Sequence, residues 1–489
     1  VDTANKPTVL RLADYKPSAF QTDEVALDLN IHDDHTIVTS KVTYKRSGAG
    51  PNELVLNAEN PNPGKRFVDS VKINGAPAAE GTDYFYDADE HTLRVPVSGS
   101  DIALEIETYL EPQNNTALSG LYKSDSYIVT QCESQGFRRI TPFLDRPDVM
   151  AKYTVRIEAS EAELPSLLAN GNMISSKRLP NGRHEATFND PWPKPCYLFC
   201  TANSKSAFVE NTFTTKSGVN VRNRVYNETG DAELGRWALD CLGDAMKFDE
   251  DIFDCEYDLD NFSIATVAKF SFGAMENKGL NVFRDSLILA NPEIATDENY
   301  RRIDDVVAHE YFHNWSGNRV TLANWFNISL KEGLTVLREQ MYTAFKTSPA
   351  SQRIDAVRGL RASQFPEDDG PLSHPVMPQE VQSVENCYTM TTYEKGAEVL
   401  RMMGELMGRD KLVEGIRQYF KTYDGQAVTI NEFVKSMEAV SGLDLSGQFS
   451  LWYTQSGRPR VKASGVYDAA AQTYTLTLEQ TVPPTRDQA

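Results

Sequence analysis

Two histidines four residues apart, His309 and His313, bracket Glu310 in a segment whose apolar residues Ile303, Val306 and Val307 recur at helical spacing. Residues four apart on a helix share a face, so both imidazoles can turn toward one ion. Glu310 lies about 100° further round the same turn, off the ion but close enough to hold a water beside it. The polar, acidic stretch Thr296–Asn299 marks the start of this helix. A second helical segment, from about Ser329 to Phe345, carries Glu332. Two His and one Glu suit a catalytic zinc, which takes three protein ligands and leaves its fourth position to water. Bound zinc draws the pKa of that water down toward ~7. The expectation is one catalytic zinc ion held by His309, His313 and Glu332, with Glu310 as general base passing the water's proton to a leaving amine. Glu332 has a second reading, because Ser329-x-x-Glu332 is also a capping box that needs no metal. The other five histidines, His32, His35, His91, His184 and His374, show no such spacing. Glu339 falls seven residues after Glu332 on the same helical face. A carboxylate there can accept the second ring N–H of a zinc-bound His and fix its tautomer. Its alternative is a solvated charge paired with Arg338 or Lys331.

Bulk properties narrow the partners. At 489 residues the chain has room for two to four domains. Its net charge of −20 opposes nucleic acid and anionic membrane as partners, and no apolar run reaches the length of a membrane span. The opening stretch Val1–Pro7 has no basic and then apolar region, so no signal peptide is expected. Six scattered cysteines form no disulfide framework. Cys196 and Cys200 share a strand-like apolar run and read as buried thiols. The sequon at Asn314 lies one residue past His313, where a glycan does not fit. These points favour a reducing, cytoplasmic location.

The chain divides by pattern. Residues 1–205 alternate apolar and polar positions in short runs, as in Glu24–Ile31 and Thr36–Tyr44, and predict an antiparallel β sandwich or saddle. Residues 206–456 turn to helical periodicity around a strand-like patch from Phe262 to Phe272. Residues 457–489 return to strand chemistry, in Arg460–Ser464 and Thr473–Leu478, as the start of a small β sandwich. The fold class is therefore multidomain α+β. At the end of the Phe262–Phe272 patch stands Gly273-Ala274-Met275-Glu276-Asn277. A Gly-Ala pair leaves backbone open for a peptide to add as a strand, although such a pair is also an ordinary turn.

This five-residue motif, followed by His-Glu-x-x-His, eighteen residues and Glu332, resembles the aminopeptidase N family of gluzincin zinc metallopeptidases. Thr130–Arg138, Pro142–Pro147, Ser329–Val336 and Tyr393–Ala397 extend the likeness, which runs from about residue 10 to the end and is bacterial in character. The resemblance implies a β saddle, a thermolysin-like catalytic domain and a small β sandwich. It implies that Glu276 and Glu133 grip a substrate's free α-ammonium, and that Gln131 lines the first side-chain pocket. Gly273 and Ala274, in the substrate-binding motif with Met275 and Asn277, would hold the peptide backbone. Tyr393 would donate its hydroxyl to the tetrahedral oxyanion, where a fixed donor lowers the barrier. Partners would be peptides with a free N-terminus, acted on by a monomer. Carboxylates at a set distance from the scissile bond would reject internal sequences, since burying them unmatched costs several kcal/mol.

The chain departs from the family pattern in three places. Phe272 stands where close bacterial relatives commonly carry Met, and Asp305 where they carry Arg four residues before the first zinc His. Family members continue into a large helical C-terminal domain, so a fragment is expected. Competing readings are a thermolysin-like zinc endopeptidase, an epoxide hydrolase on the same scaffold, and a catalytically inactive zinc-bearing binding protein.

Overall fold

The computed structural model describes residues 9–48 and 52–486; the Val1–Pro7 stretch lies outside them. The chain forms two compact units. Of the described residues, the larger comprises 16–48, 52–324 and 416–429, the smaller 9–15, 325–415 and 430–486.

In the larger unit, period-2 alternation becomes a nine-stranded sheet. Glu24–Ile31 buries Val25, Leu27, Leu29 and Ile31 on one face, and Thr36–Arg46 buries Val38, Val42 and Tyr44. The two pair antiparallel, with Leu27 opposite Ser40. The sheet is mixed rather than wholly antiparallel, because Met150–Ser160 runs parallel to Glu24–Ile31, with Ile157 opposite Leu29. Sequence pattern fixes which face of a strand is buried, but not the direction of its neighbour. Beneath the sheet, Phe137 packs edge-on against Phe143 and Phe199, with centroids at 5.1 and 5.4 Å.

A second, five-stranded sheet in the same unit runs 207–214, 220–227, 261–267, 280–284, 274–275 in spatial order. Ala274–Met275 is thus an edge strand, paired only with Leu280–Arg284. The helix Arg236–Phe253 packs on the helix Asp297–Phe312, with the Phe248 and Phe312 rings 5.7 Å apart.

Two local expectations need correction. The strand expected over 262–272 ends at Val267. Beyond it, Lys269 donates its N–H to Ser124 Oγ (3.0 Å) and accepts from the Tyr122 hydroxyl (3.1 Å), so side chains replace the ladder. The run Cys196–Cys200 is not a strand. Residues 196–198 form a 3₁₀ turn after Pro195, closed by Phe199 N–H on Cys196 O at 3.1 Å. Both thiols are buried, and none of the six cysteines is in a disulfide.

In the smaller unit, the helix Ser329–Lys346 is buried from Ser329 to Tyr342 except at Glu339, and packs on Gly396–Met407. Strands Arg460–Asp468 and Thr473–Thr481 form an antiparallel hairpin, exposed at every residue. No helix among the described residues is long and apolar enough to cross a membrane.

Candidate metal centre

The histidine helix begins with a reciprocal cap. Thr296 Oγ1 accepts from Asn299 N–H, and Asn299 Oδ1 accepts from Thr296 N–H at 2.9 Å. Asp297 and Glu298 in its first turn suit the positive end of the helix dipole. The helix ends at Phe312, leaving His313 as its C-cap, with helical φ −59° and ψ −19°. The motif therefore occupies the negative end of the dipole, where a cation is favoured.

His313 is 1% exposed, and its Nδ1 donates to Ser316 O at 2.7 Å. A carbonyl only accepts, so Nδ1 holds a proton, which in the neutral ring makes Nε2 the lone-pair nitrogen. His313 Nε2 lies 3.1 Å from His309 Nε2. Two imidazole nitrogens on a tetrahedral zinc, each at about 2.0–2.1 Å, stand roughly 3.3 Å apart. The pair fits that ion in donor chemistry and spacing. The Ser316 carbonyl holds the His313 ring by its Nδ1–H.

Glu310, Glu276 and His313 each offer one ligand atom, all within 4.8 Å of one another, and all three side chains are buried. Glu133 and Glu276 likewise bring one carboxylate oxygen each within 4.8 Å. Two ionised carboxylates no further apart than that repel by at least about 3.5 kcal/mol at an effective dielectric of 20, and favour a cation between them. Glu133 follows the strand Tyr127–Gln131, and the Glu133–Ser134 peptide bond is cis. Gln131 is 1% exposed and donates its amide to Glu133 O at 3.2 Å. The turn closes tightly enough that a Cβ on Gly136 would lie 2.3 Å from Gln131 O, so only glycine fits there.

The segment bearing Glu276 is tied to the end of the histidine helix. Asn318 Nδ2 donates to Glu276 O at 2.9 Å, while Asn318 N–H donates to His313 O at 3.0 Å. Lys278, fully buried, reaches both oxygens of Asp258 at 2.7 Å and Asn314 Oδ1 at 3.0 Å. Arg319 contacts Asp258 at 2.7 Å and Asp424 at 2.8 Å, and its guanidinium lies 3.8 Å from the Trp192 ring centroid. Burial pushes the Asp258 carboxyl upward, but the Lys278 and Arg319 cations outweigh it and hold it below the usual carboxylate range. Sequence reasoning missed Asp258, Lys278, Asn318, Arg319 and Asp424, and noticed Asn314 only as a sequon. Lys278 directly follows the five-residue motif, which was the one available signal.

Gly273 is exposed and Ala274 half-buried at the sheet edge. Gly273 O accepts from Arg284 N–H at 2.9 Å on the paired side. Met275 and Asn277 are buried behind them. Phe272 is half-buried, with its ring 6.4 Å from Phe270. Nothing in the structure explains Asp305.

Three expected site residues belong to the smaller unit. Glu332 is 3% exposed, and its Oε1 receives Lys331 Nζ at 2.6 Å. The capping box proposed as its alternative does not form. Ser329 is already inside the helix and sends its hydroxyl to Thr392 O at 2.9 Å. Glu339 is half-buried, two turns further along. Tyr393 is half-buried in a π-helical turn, Thr391–Lys395.

The chain is 45% identical over 477 residues to Aminopeptidase N of Haemophilus influenzae, covering 97% of this chain and 54% of that protein. It is 43% identical over 476 residues to Aminopeptidase N of Escherichia coli, covering 97% and 53%. The crystal structure of Legionella pneumophila aminopeptidase A in complex with aspartic acid superposes with a TM-score of 0.90 at 31% identity, covering 97% of this chain and 54% of that one. The chain thus spans about half the length of the relatives it matches. With the Peptidase M1 N-terminal domain matching residues 16–198 and the Peptidase family M1 domain matching residues 237–452, this chain belongs to peptidase family M1.

Proposed function

We propose that this chain carries the catalytic site of a zinc-dependent aminopeptidase, which hydrolyses the N-terminal bond of peptides. The observation that carries this reading is the convergence of Glu276, Glu310 and His313 within 4.8 Å, with Glu133 beside Glu276. It joins a carboxylate suited to activating water with carboxylates suited to an α-ammonium.

His309 and His313, through their Nε2 atoms, and Glu332 would hold one zinc ion. When bound, the ion supplies Lewis-acid polarisation and a water whose pKa falls toward ~7. Glu310 takes the proton of the attacking water and returns it to the leaving amine. Glu133 and Glu276 bind the free α-ammonium, and Gln131 lines the pocket for the first side chain. Gly273 and Ala274 accept the substrate backbone along the open sheet edge, with Met275, Glu276 and Asn277 shaping that edge. Tyr393 donates its hydroxyl to the oxyanion, and Glu339 orients His309. We divide the chain into a β domain over 1–205, a catalytic domain over 206–456 and a partial sandwich over 457–489. Its partners are peptides, not nucleic acid or membrane, and it acts as a cytoplasmic monomer; the six undisulfided cysteines support the location.

The test is a panel of amino-acyl anilides beside their N-acetylated counterparts, with and without chelator. Chelator-sensitive cleavage of the free-amine set alone is expected. Cleavage of the acetylated set would replace this reading with an endopeptidase. Silence on both sets would mean that the chain as it stands has no peptidase activity.

A further inference from the structure

Tyr393 sits on a π-helical turn, a conformation that rarely persists without outside support and recurs at functional sites. Adjacent residues grip the two ends of this turn. At its start, Glu367 accepts Thr391 N–H at 2.8 Å, Thr391 Oγ1–H at 2.6 Å and Met390 N–H at 3.3 Å. At its end, Asp368 accepts the Lys395 ammonium at 2.6 Å. Asp368 is itself fixed by Gly457 N–H at 2.7 Å, Ser373 Oγ–H at 2.9 Å and Gln364 Nε2–H at 3.0 Å. The middle of the turn is tied to the Glu332 helix through Ser329 Oγ–H on Thr392 O. Just beyond it the two backbones nearly touch. A Cβ on Gly333 would lie 2.9 Å from Gly396 C, and one on Gly396 would lie 2.1 Å from Ser329 Oγ. The spacing between Glu332 and Tyr393 is therefore set by backbone contact, and the pitch of the turn by Glu367 and Asp368.

We propose that Glu367 is a positioning residue, holding the Thr391–Lys395 turn so that the Tyr393 hydroxyl meets the developing oxyanion. This rests on the aminopeptidase reading. Glu367 touches no reacting atom; its carboxylate satisfies backbone donors at the start of the turn, as a helix cap does. Without it the turn relaxes toward ordinary helical pitch, and Tyr393 rotates with it. Displacement of a catalytic group by about 1 Å costs on the order of 10²-fold in rate.

The experiment uses the full 489-residue chain with four variants: Glu367→Ala, Glu367→Gln, Tyr393→Phe and the double Glu367→Ala/Tyr393→Phe. Glu367→Ala is expected to lower kcat on the order of 10–100-fold with KM nearly unchanged. Glu367→Gln, which keeps one acceptor oxygen, should recover most of that loss. In the Tyr393→Phe background the alanine change should cost less than about 2-fold, because both act through one hydroxyl. Additive losses would overturn the proposal. A second arm needs no activity. Amide exchange at Met390 and Thr391 should quicken in Glu367→Ala, while Gly396–Met407 stays protected. Unchanged exchange at those two amides would also overturn it. If the parent chain turns over no substrate, the aminopeptidase reading falls, and exchange alone decides whether Glu367 holds the turn.

Discussion

Replacing Lys278 by Met probes the network that joins the Gly273–Asn277 motif to the histidine helix. The Lys278 ammonium is fully buried, 2.7 Å from both oxygens of Asp258 and 3.0 Å from Asn314 Oδ1. Methionine fills nearly the same volume, so the loss is electrostatic rather than a cavity. Removing one member of a buried pair costs about 3–5 kcal/mol when the other charge is stranded. Here Arg319 stays 2.7 Å from Asp258, and Asn314 Nδ2 at 3.3 Å. The carboxylate keeps partners, which puts the expected loss at the low end, about 3 kcal/mol. Asn314 meanwhile loses the donor that fixes its amide beside His313. Equilibrium urea unfolding should show the loss as a lowered midpoint, and the specificity constant on a free-amine anilide should fall with it. The double variant Lys278→Met/Asp258→Asn removes both charges. It should lose less than the sum of the singles by about 1 kcal/mol or more, within the range seen for contacting residues. Parent-like stability in Lys278→Met, or strict additivity in the double, would falsify the claim that this pair couples motif to helix.

Further expectations follow from the same geometry. Glu310→Gln should retain bound zinc by metal analysis yet lower kcat on the order of 10²–10⁴-fold; turnover equal to the parent would remove Glu310 as the base. Glu276→Ala should lower kcat/KM for free-amine substrates by about 10–100-fold, the worth of one or two charge-assisted hydrogen bonds. An unchanged constant would remove it as an anchor. Asp258 has its folded pKa depressed below the unfolded value of ~3.9. Its ionised form therefore stabilises fully above about pH 4, and that contribution is lost as pH falls through the folded value. The stability gap between parent and Asp258→Asn should be constant from pH 7 to about 4 and close below it; a gap that opens on acidification would reverse the assignment.

Features governed by neighbours in sequence were legible from the chain alone. The helix over 297–312, its Thr296 start and the shared face of His309 and His313 follow from a 3.6-residue period and local capping. So does the inward set Val25, Leu27, Leu29 and Ile31, from a period of two. Short stretches failed where tertiary contacts overrode local preference. Apolar content made Cys196–Cys200 look like strand, but a 3₁₀ turn stands there. Ser329 looked like a helix cap, and instead bonds to Thr392.

Sequence by itself determined the helical spacing of His309 and His313 and the membership of each strand's buried face, because each depends on residues within a turn or two of one another. Only the tertiary structure decided that Asp258 meets Lys278 and Arg319, that Glu133 lies beside Glu276, and that Glu367 caps the turn carrying Tyr393. These residues are separated by 20 to 143 positions along the chain, and in sequence Asp258, Lys278, Arg319 and Glu367 each read as an ordinary solvated charge. The free energy of a buried charge is set by what surrounds it, and those surroundings exist only once the chain has folded.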